Sequence, residues 1–231
     1  MVTQWRFGRG WSEAELRAYL AELRDARPNF DERPERMTPE HVWTVDGDDR
    51  PIAHEPPGPP LPDGPFARAR QAMINYDFSD PRIVVGHFDP SGPLANREML
   101  LEIKSFGLRF LAGARVDTIR EKADEHRTSF RFRYETLEGH FEQGVEWFLL
   151  SKNHASGEVR FRIQAHWRMG DFPTWWSRIG FLVLGESSRA LWRRRAVRRL
   201  RRLAYQPASG PVAESGRLAH RGDRAPRRRA G

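Results

Sequence analysis

The sequence contains no cysteine among its 231 residues. This absence excludes a disulfide framework, thiol catalysis, iron–sulfur ligation and thiolate zinc sites. Long hydrophobic runs are also missing: the most apolar stretch, residues 175–185, is about 11 residues long, contains Arg178, and is too short to span a bilayer. The N-terminus carries no apolar signal-peptide core, so we expect a cytoplasmic protein.

Lysine is scarce as well, with three copies among 39 basic residues, and the positive charge is unevenly placed. The formal net charge is +8, but residues 187–231 alone carry +12 and residues 1–186 carry −4. The run from Arg193 through Arg194 to Arg195 lies near the end of a predicted helix, where cations complement the helix dipole. In an alternative interpretation, these arginines and the C-terminal tail (residues 206–231) make a weak, salt-dependent contact with an anionic membrane or nucleic acid.

Three parts of the chain differ in composition. In residues 1–64, a capping box of Ser12 and Glu15 predicts a short helix. A segment with nine prolines between positions 28 and 62 follows it. We expect this part to form an N-terminal extension. Residues 65–205 carry the periodic apolar patterns of a folded domain, and residues 206–231 are rich in arginine and expected to be disordered.

The folded part shows strand patterns followed by one long helix. Apolar and polar residues alternate strictly over 129–134, 145–149 and 158–169, which indicates antiparallel strands joined by short connections. After Pro173 the period becomes helical up to about residue 204. The order predicts an α+β fold in which a curved antiparallel sheet packs on a long C-terminal helix, the helix-grip arrangement.

A sheet that grips a helix often encloses a ligand cavity. The inward residues that would line it, or form plain core instead, are Tyr134, Trp147, Phe161, Ile163, Trp167, Ile179 and Val183. The scattered histidines have no metal-ligand spacing, so we expect neither a metal nor a cofactor.

The densest polar cluster is His140, Glu142 and Glu146. A tight turn at residues 138–139 would pair Phe130 with Trp147 and place Glu146 between Arg131 and Arg162. That register predicts a structural cross-strand ion pair for Glu146. His140 and Glu142 lie at the turn, where they are either structural or a polar ligand or acid–base pair.

The segment from Tyr134 to Phe148 resembles the signature of uncharacterised protein family 0548, the family of the DUF1990 domain. The matching positions are Tyr134, Thr136, Leu137, Gly139, His140, Glu142, Gly144, Glu146 and Phe148. Glu135, Phe141 and Val145 depart from the pattern. The resemblance covers residues 65–204 and implies a START-like, helix-grip relative that binds an apolar small molecule or lipid. It implies no reaction and no catalytic residue.

Three functions follow as hypotheses. The first is a non-enzymatic protein that binds a hydrophobic small molecule or lipid between the sheet and the C-terminal helix, with His140 and Glu142 as polar anchors at its mouth. The alternative is a helix-grip enzyme of the cyclase or hydrolase type, with His140 as base and Glu142 orienting it, or a peripheral scaffold that contacts anionic partners through its arginine-rich end. The sequence leaves the oligomeric state open.

Overall fold

A computed structural model describes residues 4–170 and 175–206, with side chains described outside 175–187. Within that part of the chain, three α-helices and eight strands follow one another. They are β1 (Gln4–Phe7), α1 (Glu13–Glu22), β2 (Thr44–His54), α2 (Pro65–Ile74), β3 (Val84–His87), β4 (Glu98–Ser105), β5 (Leu108–Ala123), β6 (Arg127–Thr136), β7 (Glu142–Asn153), β8 (Glu158–Met169) and α3 (Trp175–Tyr205). Among the described residues, no helix has the length and hydrophobicity needed to cross a bilayer.

All strands join one antiparallel sheet in the order β2-β8-β7-β6-β5-β4-β3, with β1 added against β5. The face of the sheet that packs on α2 and α3 is called the inner face. Its apolar side chains form the largest core cluster together with residues of both helices, such as Phe66 of α2 and Leu200 of α3. The predicted α+β helix-grip architecture, with a sheet packed on a long C-terminal helix, is confirmed.

The N-terminal segment covers the other, outer face of the sheet. Leu16 and Leu23 of the α1 region pack on Leu100 and Leu111, and a second cluster joins Met37 and Trp43 to Val145. The predicted capping box is present: the Ser12 hydroxyl accepts from the Glu15 N–H, and the Glu15 carboxylate accepts from the Ser12 N–H. Both faces of the sheet therefore carry apolar side chains that other parts of the chain cover.

One strand arises from the proline-rich segment itself. β2 pairs with β8 at the edge of the sheet, and its register shifts between Pro51 and Ala53. Proline has no N–H to donate, so an edge strand with a bulge is where a sheet tolerates it. The extension thus supplies part of the sheet.

The predicted register between β6 and β7 is wrong. The strands are joined by residues 137–141 rather than by a two-residue turn, and Phe132 pairs with Phe148 while Tyr134 pairs with Glu146. The change of three residues reverses which side chains of β7 face inward. Glu146 consequently lies on the inner face, and Trp147 lies on the outer face.

Candidate functional site

The inner face is tightly packed at one end and more open at the other. On β7, Leu150 and Phe148 are fully buried, whereas Glu146 keeps part of its surface accessible. On β8, Phe161 is fully buried, whereas Trp167 is partly accessible. The packing therefore ends where the polar side chains begin, and this accessible end of the inner face is the candidate site.

Aromatic rings from α2, α3 and the sheet fill the packed end. The Phe78 ring lies 5.0 Å from the Phe148 ring, 5.6 Å from the Phe161 ring and 6.4 Å from the Trp192 ring, all between centroids. Phe161 and Ile163, predicted as pocket residues, belong to this core, where they are 0% and 1% exposed. They form the floor beneath the site rather than an open wall.

Glu146 is the central group of the site. Its carboxylate accepts a hydrogen bond from the Tyr134 hydroxyl on the neighbouring strand. Burial raises the pKa of Glu146 to about 7, against the opposing effects of the Tyr134 hydrogen bond and the Arg189 charge. Burial also raises the pKa of Tyr134 well above its usual value, so this phenol stays protonated and acts as a donor.

Tyr76 reaches the same place from the end of α2. The chain leaves the helix in a Schellman motif, in which the Tyr76 N–H donates to Met73 (3.0 Å) and the Asp77 N–H donates to Ala72 (2.8 Å). Tyr76 has a φ of +58°, which for a residue with a side chain costs about 1–2 kcal/mol. Gly86 on β3 makes room for its ring, because a Cβ there would lie 2.7 Å from Tyr76 Cδ1.

The Tyr76 hydroxyl is buried and makes no hydrogen bond within the described part of the chain. Burial, followed by the nearby Glu146 charge, raises the pKa of Tyr76 well above its usual value, while the Tyr134 hydroxyl acts the other way. The rings of Tyr76 and Tyr134 both pack against Phe148, at 6.3 and 5.5 Å between centroids. Two neutral phenols therefore flank one interior carboxyl group.

Arg189 of α3 closes one side of the site. Its guanidinium forms an ion pair with Glu142, and it lies 3.7 Å from the centre of the Trp167 ring. Both members of the ion pair are less than one-fifth exposed. This ion pair joins the start of β7 to α3, and the Arg189 charge balances that of Glu142. Glu142 is therefore a structural link as well as part of the wall of the site.

His140 lies in the connection before β7 and is 5% exposed. Its Nδ1 accepts from the Glu142 N–H (2.9 Å), so the neutral ring carries its hydrogen on Nε2. Burial, aided by the Arg189 charge, lowers the pKa of His140 to about 3. Asn29 of the N-terminal segment holds this connection by donating to the His140 and Glu142 carbonyls, at 3.1 and 2.8 Å. A histidine with this pKa is a poor general base at neutral pH.

The remaining predicted pocket residues separate into three groups. Tyr134 and Trp167 lie at the site. Trp147 does not: it packs in the outer cluster and faces His166 at 4.7 Å, so its predicted inward orientation is wrong. The side chains of Ile179 and Val183 lie outside the described residues.

Sequence reasoning missed Glu146, Tyr76 and Arg189 as site residues. The position of Glu146 was readable in principle, since it shares its alternation with Phe148 and Leu150. Tyr76 and Arg189 carry no comparable local signal, because only the packing of α2 and α3 brings them to the sheet.

The arginine run of α3 is largely engaged within the protein. Arg193 pairs with Asp46 on β2 (3.0 Å) and Arg195 pairs with Asp80 (3.1 Å), whereas Arg194 is exposed. Of the three arginines expected at an external surface, Arg193 is therefore largely buried, whereas Arg194 is exposed and Arg195 keeps 34% of its side chain exposed. The residues from 207 onward, assigned to a disordered tail, lie outside the described residues. Among the described residues, no three histidine, aspartate or glutamate side chains are grouped as metal ligands would be.

The fold and the site define a helix-grip α+β domain with a polar group at the open end of an apolar inner face. A family model described as a domain of unknown function, DUF1990, matches residues 31–202, and the chain belongs to this family. The match begins well before residue 65 and includes β2. No curated protein sequence matches the chain.

Solved structures similar to this chain have low sequence identity to it. The hypothetical protein jhp0584 from Helicobacter pylori is 12% identical, with a TM-score of 0.44, over 77% of this chain and 98% of its own. The major latex-like protein 151 from Panax ginseng is 9% identical, with a TM-score of 0.43, over 71% and 99%. Ara h 8.0201 is 10% identical, with a TM-score of 0.37, over 70% and 97%.

Proposed function

We propose that this domain binds a hydrophobic small molecule or lipid between the inner face of the sheet and α3, with its polar group at Glu146. The observation that carries the proposal is the change in packing along β7. Phe148 and Leu150 are fully buried, and Glu146, on the same face, is partly accessible although burial raises its pKa to about 7. A partly accessible carboxyl group beside a fully buried apolar floor supports a site for a molecule with an apolar body and one polar end.

The surroundings of Glu146 suit a molecule with an apolar body and one polar end. Phe148, Phe161 and Ile163 supply an apolar floor, and Trp167 a partly accessible aromatic wall. The polar groups converge on Glu146 from two directions, through Tyr134 and Tyr76. A mostly apolar surface with few convergent polar groups is the general character of small-molecule sites.

The proposal is tested with a neutral fluorescent probe, N-phenyl-1-naphthylamine, on the full chain. We expect saturable binding to the wild type and at least a fivefold weaker Kd for Trp167→Ala. The matched control is Trp147→Ala, which removes the same side chain from the outer face and should leave the Kd unchanged. Absence of saturable binding, or equal weakening by both variants, would overturn the proposal.

Native mass spectrometry of the freshly purified chain gives a second, independent readout. A stoichiometric small molecule released on denaturation would support the proposal and identify the chemical class of its ligand. Extraction of that molecule from Trp147→Ala, but at reduced occupancy from Trp167→Ala, would locate it on the inner face.

One observation favours an enzymatic alternative. A carboxyl group with a pKa of about 7 beside an accessible surface is suited to accept and return protons near neutral pH. In this alternative Glu146, not His140, is the acid–base residue. Incubation with any co-purified molecule should then yield product with the wild type and none with Glu146→Gln, whereas an unchanged molecule would count against catalysis.

A further inference from the structure

The balance of charge at the site is uneven. Three carboxyl groups face it, from Asp46 on β2 and from Glu142 and Glu146 on β7, and two guanidinium groups face it, from Arg189 and Arg193 of α3. Arg189 pairs with Glu142 and Arg193 pairs with Asp46. Glu146 is left as the carboxyl group without a contacting cation among the side chains that the structure describes.

Two carboxyl groups at the site also keep oxygen atoms that accept no hydrogen bond from the described residues. Tyr134 donates to one oxygen of Glu146, and the second oxygen accepts no hydrogen bond within the described part of the chain. Asp46 Oδ1 is buried and likewise accepts none there. The Tyr76 hydroxyl, which also makes no hydrogen bond there, can both donate and accept. The carboxylate oxygens of Glu146 and Asp46 are acceptors that the donors of a ligand can meet.

We propose that the ligand is an apolar molecule carrying an amine, with Glu146 as the counter-ion of its ammonium group. The inference rests on the proposed binding function and specifies its ligand. An ammonium group has three donors and no acceptor, which matches the unused acceptors. A fatty acid would instead bring a second carboxylate against Glu146 and Glu142, where like charges repel.

Tyr76 has a left-handed backbone conformation, and Gly86 leaves space for its ring. Together these features place the Tyr76 phenol beside Glu146. A phenol oxygen can accept as well as donate a hydrogen bond, so the Tyr76 hydroxyl can accept from an ammonium group held at Glu146. The neutral state of both phenols follows from their raised pKa values. His140 is also neutral at pH 7 and adds no competing charge.

The test compares three ligands with the same alkyl chain: dodecylamine and dodecanoate below their micellar concentrations, and dodecanol below its solubility limit. Isothermal titration calorimetry with the full chain at pH 8 should give at least a tenfold lower Kd for dodecylamine than for dodecanoate. Glu146→Gln should weaken dodecylamine at least tenfold and change dodecanol less than threefold. Glu135→Gln is the matched control, since Glu135 is a partly buried carboxyl group on the outer face of the adjacent strand.

A pH series on the wild type provides a readout that needs no variant. The affinity for dodecylamine should rise from pH 6 to pH 8, as Glu146 ionises while the amine stays charged, and the affinity for dodecanol should stay constant. This measurement tests the role of Glu146 as counter-ion even if the Glu146→Gln variant does not fold.

The outcomes separate this inference from the proposed function. Binding of dodecanol with no preference for dodecylamine, or with the preference kept in Glu146→Gln, overturns the amine and leaves the hydrophobic site standing. Tightest binding of dodecanoate also overturns the amine. Binding of none of the three ligands removes both proposals.

Discussion

Among single residues, Glu146 is one whose protonation we expect to be coupled to folding. Its pKa is about 7 in the folded protein, above the ordinary glutamate value of 4.5 that applies to the unfolded chain, so the folded protein holds the proton more tightly. The stability that this group contributes is greatest below pH 4.5 and is lost as the pH rises to about 7. At 1.36 kcal/mol for each pKa unit, the loss is on the order of 3 kcal/mol.

The corresponding prediction concerns Glu146→Gln, which removes the titration. Between pH 5 and pH 8, the free energy of unfolding of the wild type should fall by about 2–3 kcal/mol relative to the variant. Urea unfolding at both pH values measures this difference, with the exposed Glu22→Gln as control. Parallel pH profiles for the wild type and Glu146→Gln would contradict the buried placement of this carboxyl group.

Gly86 tests the position of Tyr76. In Gly86→Ala the new methyl group meets Tyr76 Cδ1 at 2.7 Å, so the ring must move. We expect a loss of about 1–3 kcal/mol of stability, the usual cost of overpacking, and weaker probe binding. In the control Gly92→Ala, the nearest atom to the new methyl group is the Asp89 carbonyl oxygen at 3.7 Å. Equal stability losses in both variants would show that the close contact between Gly86 and Tyr76 does not affect stability.

Among the secondary-structure elements, a buried ion pair attaches the proline-rich loop to the sheet and to α2. Lys152 of β7 donates to Glu55 (2.8 Å) and to the Pro59 carbonyl (2.9 Å), and both charged side chains are 0% exposed. Glu55 also accepts from the Phe66 N–H (2.7 Å) in the first turn of α2. One carboxylate thus joins the sheet, the loop and the start of a helix.

Removing one partner should be more harmful than removing both. Lys152→Met leaves Glu55 buried without its cation, and we expect a loss of about 3–5 kcal/mol in urea unfolding. The double variant with Glu55→Met should recover a large part of that loss. Limited proteolysis within residues 56–63 should be faster in the single variant. A double variant less stable than Lys152→Met would refute this account.

The strands themselves show where sequence periodicity stops being informative. The pattern of β8 predicted both its bounds and its inward residues, such as Phe161 and Ile163. The pattern of β7 did not, because Val145 and Trp147 on one face alternate with Phe148 and Leu150 on the other. Alternation identifies a buried face only when the opposite face is polar, and here the N-terminal segment covers it.

At the level of the whole molecule, several arginines of α3 bind acidic and carbonyl groups of the same chain. The net charge of +8 suggests an anionic partner. However, Arg193 and Arg195 bind Asp46 and Asp80, and the Arg199 guanidinium donates to the Asp77 carbonyl. Much of the basic character in this part of the helix serves to dock α3 on the acidic body.

Adjacent arginines provide the test. Arg193→Ala leaves Asp46 without its cation and should cost about 1–3 kcal/mol of unfolding free energy. Arg194→Ala removes an exposed side chain and should change stability by less than about 0.5 kcal/mol. Thermal and urea unfolding of the two variants at equal ionic strength measure the contrast. Equal losses would show that the docking of α3 does not depend on the Arg193 ion pair.

The sequence by itself determined the order of most elements, the capping box of α1, the helix-grip architecture and membership of the family. These properties depend on local periodicity, on short-range hydrogen bonds and on a nearly contiguous motif. The tertiary structure alone decided that Glu146 faces inward, that Tyr76 and Arg189 join it, and that β2 completes the sheet. Such features depend on strand register and on the packing of distant segments, which local patterns leave undetermined when both faces of a sheet are apolar.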